Sequence, residues 1–142
     1  MYAVEWPALG EAKVVGALRP RIVRSVPLSK DDHITWSSSH EAAVVHLNGE
    51  FDLADVEHLQ DSCRAAITAL GPRVVIDLSE TRFLDSSALG ALIGVANEAH
   101  ARGGWLHFAS AQSPGVQRLF DITMVDEVLG LFGTVQEAAD HH

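Results

Sequence analysis

Two adjacent serines, Ser86 and Ser87, follow Asp85 at a point where the sequence predicts that a helix begins. Residues 74–76 before them are apolar and β-branched, and an apolar stretch of helical periodicity follows them. The first turn of a helix has backbone N–H groups without intrahelical acceptors, and the helix dipole places partial positive charge there. A serine hydroxyl at this position suits a phosphoacceptor, because a phosphate adds about −1.5 to −2 charges at neutral pH. The alternative is that the three residues only cap the helix, as Asp and Ser commonly do.

The sequence lacks the residue patterns that metal binding, hydrolysis or nucleotide chemistry would need. The chain has eight histidines and one cysteine, but no His-x-x-x-His pair accompanied by an acid, so we expect no metal site. A Gly-x-Ser-x-Gly motif and a Gly-x-x-x-x-Gly-Lys motif are both absent, which argues against a serine hydrolase and against a kinase or NTPase. We therefore expect no catalytic residues and no cofactor, and a protein that is a substrate and binding module.

The elements that position the serines follow from hydrophobic periodicity and from turn residues. Strands are expected at residues 33–36, 42–47, 74–76, 105–109 and 128–132. Helices are expected at residues 54–70, 86–101, 116–120 and 135–139, the last capped by Thr134. Strands that alternate with helices favour right-handed crossovers and a mixed sheet with helices packed against it. The sequence thus predicts an α/β fold with four to five strands and about four helices.

Composition describes a single globular domain. The chain has 142 residues, of which 47% are hydrophobic and 20% are charged. No apolar run approaches the length of about 20 residues that spans a bilayer, and Glu5 and Pro7 stand where a signal peptide would be basic and then apolar. We therefore expect a cytoplasmic protein without a membrane segment. Cys63 lies on the apolar face of a predicted helix, where it acts as a small buried hydrophobic residue.

Charge is unevenly distributed along the chain, whose net charge is −9. Residues 1–30 carry five Lys/Arg and two Glu, whereas residues 31–142 carry five Arg and 17 Asp/Glu. The acidic part disfavours nucleic-acid binding and suits a basic protein partner. Residues 1–30 contain three prolines, so we expect an extension with at most a short strand at residues 21–26. Arg19, Arg21 and Arg24 form either a docking arm or a segment that lies against the acidic domain.

Three segments together resemble one known family. They are Leu-Asn-Gly-Glu-Phe-Asp at residues 47–52, Phe-Leu-Asp-Ser-Ser-Ala-Leu-Gly at residues 83–90 and Ser-Pro-Gly-Val-Gln-Arg-Leu-Phe-Asp at residues 113–121. Their order and spacing resemble those of STAS domains, specifically the bacterial anti-sigma factor antagonists. The resemblance covers residues 31–138 and implies the STAS fold. It divides the chain into an extension, residues 1–30, and a STAS domain, residues 31–142.

The resemblance also implies a function. In this family, the unphosphorylated antagonist binds an anti-sigma factor that is a GHKL-type serine kinase, which frees a sigma factor for transcription, as in stress responses. The kinase then phosphorylates the second serine of the Asp-Ser-Ser segment, and a phosphatase reverses the modification. By motif, Ser87 is the phosphoacceptor and Ser86 is the fallback. The expected partners are the kinase and the phosphatase, with a weak homodimer as a further option and with no nucleic acid or membrane.

The residues around the serines have expected roles. Asp85 caps the helix with a secondary electrostatic role, and Asp52 either hydrogen-bonds near Ser87 or ends a strand. Phe83 and Leu84 are expected in the core and in loop packing, with Leu84 also able to touch a partner. Ala88 stands where the family commonly has glycine.

Ala88 should stiffen the first helical turn and narrow the set of kinases that reach Ser87.

Two other functions remain open at this point. One is a STAS adaptor that is not phosphorylated and acts in a larger signalling or transport complex. The other is a sensor for a small ligand or nucleotide, although no glycine-rich phosphate cradle supports it.

Overall fold

The structure is a computed structural model that describes residues 33–141, so the extension and its expected strand lie outside the described range. The described residues form seven strands and five helices. The strands are β1 (Ile34–Ser39), β2 (Ala42–Leu47), β3 (Gly49–Phe51), β4 (Arg73–Asp77), β5 (Thr81–Leu84), β6 (Trp105–Ala109) and β7 (Leu131–Phe132). The helices are α1 (Val56–Leu70), α2 (Ser86–Ala101), α3 (Pro114–Thr123), α4 (Val125–Leu129) and α5 (Val135–Asp140). None of these helices is long and apolar enough to cross a membrane.

Five strands form the main sheet in the order β1-β2-β4-β6-β7. Strand β1 is antiparallel to β2, and the other neighbouring pairs are parallel. His40 and Glu41 connect β1 to β2 with φ angles of 51° and 66°, the left-handed backbone that tight hairpin turns require. The parallel pairs need crossovers, which the helices provide. The α/β fold with a mixed sheet, expected from the sequence, is confirmed.

Helices cover both faces of the sheet. The larger core lies between the sheet and α1 and α2, and contains Val74 and Ile76 of β4. The smaller core contains Val75, between them in sequence, packed with Ala138 and Ala139 of α5. Because successive side chains of a strand point to opposite faces, the continuous apolar run of β4 fills both cores. The expectation that this strand is covered on both faces is confirmed.

A second, two-stranded sheet was not expected from the sequence. It pairs β3 with β5 in parallel, with Phe51 opposite Leu84. The Gly49 N–H donates to the Glu80 carbonyl at 3.0 Å, and the Thr81 hydroxyl donates to the Leu47 carbonyl at 2.7 Å. Strands of three and four residues are too short to show an alternating pattern, so only the pairing in space reveals them.

The expected strand at residues 128–132 is largely wrong. Met124 adopts a left-handed backbone (φ 57°) that ends α3, and the chain then forms the short helix α4. Only Leu131 and Phe132 pair with β6. Val128 suggested a strand because it is β-branched, but Asp126 and Glu127 in the first turn of α4 favour a helix there.

Other boundaries differ by a few residues. Strand β1 continues to Ser39, so the turn is shorter than expected, and a 3₁₀ turn at Leu53–Asp55 precedes α1. Helix α3 extends beyond the expected residues 116–120 at both ends. The cap of the last helix is confirmed, because the Thr134 hydroxyl accepts a hydrogen bond from the Glu137 N–H at 3.1 Å.

Candidate functional site

The two serines lie in the first turn of α2. Strand β5 ends at Leu84, and Asp85 has the extended backbone of an N-cap residue. The Asp85 carboxylate accepts a hydrogen bond from the Ala88 N–H at 2.8 Å, which confirms its expected role as the cap. Ser86 is exposed and Ser87 is half-buried. Both hydroxyls therefore lie at the positive end of a 16-residue helix.

Asp52 lies beside Asp85 because β3 and β5 end together. The Asp85 N–H donates to the Phe51 carbonyl at 3.1 Å, which fixes the two strand ends side by side. The Asp52 carboxylate accepts from the Ala54 N–H at 2.9 Å, and the Asp52 N–H donates to Asp55 at 2.9 Å. Asp52 thus follows the end of β3, which was one of its two expected roles, and it also caps the 3₁₀ turn, which was not expected.

The three sequence segments that were far apart in the chain meet at this site. Residues 47–52 contain β3, and residues 83–90 contain the end of β5 and the start of α2. The third segment, residues 113–121, begins α3, which packs against β5. There the Ser113 hydroxyl donates to the Arg82 carbonyl at 3.1 Å. The pairing of β3 with β5 joins the first two segments, and the packing of α3 against β5 joins the third.

The residues beneath the serines are buried. Leu84 is 4% exposed and Ala88 is fully buried, and both belong to the larger core. Leu84 is therefore a core residue, as expected, and its contact with a partner stays a prediction. The Ala88 side chain is part of the core, and its effect on which kinases reach Ser87 stays a prediction.

Phe83 is not in the core, which corrects the expectation from the sequence. Its side chain is 49% exposed, and Leu53, just after Asp52, is 70% exposed. In β5, Thr81 and Leu84 are buried while Arg82 and Phe83 are both exposed, so the strand does not alternate strictly. Nothing in the sequence indicates that Phe83 is exposed, because it is apolar and directly precedes the buried Leu84. Phe83 is three residues before Ser86 and Leu53 directly follows Asp52, so two exposed apolar residues lie near the ends of β5 and β3.

The chain matches the STAS domain family model over residues 33–138. It belongs to the STAS family. Of the similar solved structures, an anti-sigma factor antagonist from Mycobacterium paratuberculosis is 26% identical, with a TM-score of 0.65, and the match covers 74% of this chain and 88% of that one. The anti-sigma factor antagonist SpoIIAA in its unphosphorylated form is also 26% identical, with a TM-score of 0.61, covering 75% and 93%. The sequence resemblance is thereby confirmed at the level of family and fold.

A third similar structure shows how widely the STAS fold is used. It is a sulfate transporter family protein from Wolinella succinogenes, 15% identical, with a TM-score of 0.59, and the match covers 81% of this chain and 93% of that one. At this identity the likeness concerns the fold alone. The STAS family match begins at residue 33, which is also the first residue that the structure describes.

A row of polar side chains crosses the STAS sheet away from the serines. The Ser37 Oγ lies 3.0 Å from His46 Nε2, and His46 Nδ1 lies 2.7 Å from Asp77 Oδ2. Burial raises the pKa of Asp77, but hydrogen bonds from His46 and Ser79 outweigh it, so the pKa lies below its ordinary value. The row links β1, β2 and β4. No sequence motif predicts it, because its members come from three strands.

This row has the residue types of a hydrolase triad, but its setting fits a structural link. Ser37 lies in the middle of an edge strand. Catalytic serines instead lie at strained turns or helix N-termini, where N–H donors converge on an oxyanion. The described residues also contain no group of three His, Cys, Asp or Glu placed to hold a metal ion.

Proposed function

We propose that this STAS protein is an anti-sigma factor antagonist controlled by phosphorylation of Ser87. In its unphosphorylated form it binds an anti-sigma factor, a GHKL-type serine kinase, and so frees a sigma factor. The kinase transfers a phosphoryl group to Ser87, and the complex dissociates until a phosphatase removes the phosphate. The protein itself acts in the cytoplasm as a binding module without catalytic activity. Among solved relatives, SpoIIAA has an unphosphorylated and a phosphorylated form.

The observation that carries the proposal is the position of Ser87 in the first turn of α2, beside Asp85 and the end of β3. The unmodified hydroxyl is small and neutral, so an interface can close over it. Asp85, two residues before Ser87, and Asp52 on the neighbouring strand place carboxylates close to that interface. Ser86 is more exposed than Ser87, but the family motif assigns the phosphate to the second serine.

Phosphorylation opposes binding for an electrostatic reason. A near-dianion on Ser87 would be repelled by the existing carboxylates and would lose hydration when a partner covers it. A loss of about 3–4 kcal/mol in binding free energy reduces affinity by about two to three orders of magnitude. No change of fold is needed, because Asp85 already holds the first turn of α2 through its hydrogen bond to Ala88.

The test is a capture experiment with the full chain as bait, from lysate of the host that carries the gene, with ADP present. The baits are wild type, Ser87→Ala and Ser87→Glu, and Ser86→Ala and Ser86→Glu serve as matched controls. We expect a GHKL-type kinase to bind wild type, Ser87→Ala and both Ser86 variants, but to bind Ser87→Glu at least about a hundredfold more weakly. The captured kinase should phosphorylate wild type but not Ser87→Ala. Equal binding of all five baits would reject the switch.

A second candidate function is a STAS adaptor that is not phosphorylated. It is favoured by the likeness of the fold to the Wolinella sulfate transporter family protein. This adaptor would remain in a stable complex whatever residue stands at position 87. The same five baits therefore separate the two functions, since an adaptor would retain one set of partners throughout.

A further inference from the structure

Strand β1 lies at one edge of the main sheet and, among the residues that the structure describes, pairs only with β2. It has six residues, Ile-Thr-Trp-Ser-Ser-Ser, and its register with β2 continues over the whole strand without a bulge. Edge strands of natural proteins usually carry a charge, a proline or a bulge that prevents a further strand from pairing with them. Strand β1 has none of these features, so its outer edge is able to accept another strand.

The hydrogen bonds to β2 show which backbone groups of β1 point outward. The Asn48 N–H donates to the His33 carbonyl at 2.7 Å, so His33 belongs to a hydrogen-bonded pair of this ladder. Bonded and non-bonded pairs alternate along antiparallel strands, so the odd-numbered residues of β1 bond to β2. The N–H and C=O groups of its even-numbered residues point to the open edge, and these residues are Ile34, Trp36 and Ser38.

The side chains of the same even-numbered residues face the helices. Ile34 is buried in the larger core and Trp36 packs against it, on the side of the sheet that α1 and α2 cover. A second copy, related by a two-fold axis that passes through the open edge perpendicular to the sheet, has its helices on this same side. Even-numbered residues of β1 then stand opposite even-numbered residues of the second copy, and all of them have outward N–H and C=O groups. The open edge of β1 is therefore complementary to itself.

The position of α1 fits the same symmetry. Helix α1 contacts both β1 and β2. If two copies join at β1, their α1 helices lie about 10 Å apart, because strands are spaced by about 4.8 Å. That distance is close to the 8–10 Å range of packed helices, which requires small side chains on the sides that meet. The symmetry therefore predicts which side of α1 should be small.

The side of α1 turned away from α2 has this property. Gln60 lies against Gly94 of α2, and Arg64 donates to Glu98 of α2 at 2.7 Å, so these two residues mark the side that meets α2. At 100° per residue, four residues lie on the opposite side of the helix. Three of them are small and none is an acid: His58, Ser62, Ala65 and Ala69.

Charge also favours this edge as the place where two copies meet. The net charge of −9 makes two copies of the chain repel each other in most orientations. Strand β1 contains no charged residue, and the outer side of α1 contains no acid. Two copies can therefore approach through β1 without bringing carboxylates of these two elements together.

We propose that two copies of this chain pair antiparallel through β1, with Trp36 opposite the partner's Trp36 and Ile34 opposite the partner's Ser38. This register uses all three outward-facing residues and forms about six hydrogen bonds, whereas a register shifted by two residues forms about four. The two five-stranded sheets become one continuous sheet. The dimer does not rest on the proposed function of the serines in α2.

Sedimentation equilibrium of the full chain from about 1 to 500 µM measures the dimer, for which we expect a dissociation constant of about 10–100 µM because the interface is small. Ser38 is exposed, so it can be changed without disturbing the core. Ser38→Pro removes an outward N–H and keeps the bonds to β2, and Ser38→Lys places a charge opposite the partner's Ile34. Each should weaken the dimer at least about tenfold. Val128→Lys, on the exposed side of α4, is the matched charge control and should leave the dimer unchanged.

Disulfide cross-linking tests the register. In the proposed dimer Thr35 stands opposite the partner's Ser37 in a non-bonded pair, with Cα atoms about 4.5 Å apart, which permits a disulfide. An oxidised mixture of Thr35→Cys and Ser37→Cys chains should give at least about fivefold more covalent dimer than either chain alone. Val128→Cys mixed with Ser37→Cys is the control. The native Cys63 does not compete, because it is buried and burial raises its pKa to about 12.

Three outcomes overturn the proposal. A monomer at every concentration would show that the edge of β1 does not pair with a second copy. A dimer that both Ser38 variants leave intact would assign the contact to another surface. Equal cross-linking of Thr35→Cys alone and of the mixture would contradict the register centred on Trp36. None of these measurements involves a kinase, so failure of the dimer and failure of the proposed function are distinguishable.

Discussion

Asp85 has two properties that substitution can separate, its capping hydrogen bond and its charge. Its carboxylate holds the first turn of α2 by accepting from the Ala88 N–H, and its negative charge lies two residues from Ser87. The first effect needs only an oxygen acceptor, whereas the second needs the charge. Substitutions at this one residue therefore distinguish a structural cap from an electrostatic component of the proposed switch.

Asp85→Ala should lower the free energy of unfolding by about 1 kcal/mol, because the Ala88 N–H loses its acceptor. Asp85→Asn keeps an acceptor and should stay within about 0.5 kcal/mol of wild type. Urea unfolding of the three proteins measures both effects. If Asp85→Asn destabilises as much as Asp85→Ala, the charge rather than the cap is what stabilises α2.

At the scale of strands and helices, pairings between segments that are distant in the sequence decide where the candidate residues lie. The β3–β5 pair aligns Asp52 with Asp85, and the row from Ser37 through His46 to Asp77 links β1, β2 and β4. The carboxylate in this row is largely buried, with 13% of its side chain exposed. Its contribution to stability should therefore depend on pH.

Because the pKa of Asp77 lies below its ordinary value, its ionised form stabilises the folded state. That stabilisation is present above the unfolded-state pKa of about 3.9 and is lost as the pH falls through the lower folded-state pKa. Asp77→Asn should therefore be less stable than wild type by about 1 kcal/mol near pH 6, and the difference should shrink below about pH 4.

Urea unfolding from about pH 6 to pH 3 measures this difference, with Asp121→Asn as a control. Asp121 is exposed on α3, so its substitution should have little effect at any pH. A gap between wild type and Asp77→Asn that stays constant over this range would contradict the assignment.

For the whole molecule, burial separates residues that hold the fold from residues that are free to bind. Phe120 and Ile122 lie two positions apart on α3, yet Phe120 is fully buried and Ile122 is 71% exposed. The Phe120 ring packs edge-on against Phe108 of β6, with 4.9 Å between centroids. Helix α3 thus packs into the larger core through Val116 and Phe120, whereas Ile122 is exposed.

Phe120→Ala should cost about 3–5 kcal/mol of stability, because it removes a buried aromatic side chain and leaves a cavity. Ile122→Ala should change stability by no more than about 0.5 kcal/mol. Chemical denaturation of the full chain measures both. Comparable losses at the two positions would show that α3 packs through a different face.

Much of the fold could be predicted from the sequence because long periodic segments carry their own signal. The apolar positions of α1 and α2 recur at helical spacing, and the run at Val74 to Ile76 is continuous because both of its faces are covered. Asp85 was identified as a cap because capping is a local interaction between residues three positions apart. The STAS family followed from three ordered segments and needed no coordinates.

The tertiary structure alone decided which residues meet and which are exposed. Strands β3 and β5 are too short to predict, yet their pairing places Asp52 beside Asp85 and leaves Phe83 exposed, as is Leu53 just after Asp52. The left-handed backbone of Met124 ends α3, and the helix α4 then forms where a strand was expected. Sequence patterns record local preferences, whereas strand pairing and side-chain exposure depend on contacts between residues about 30 or more positions apart, such as Phe51 with Asp85.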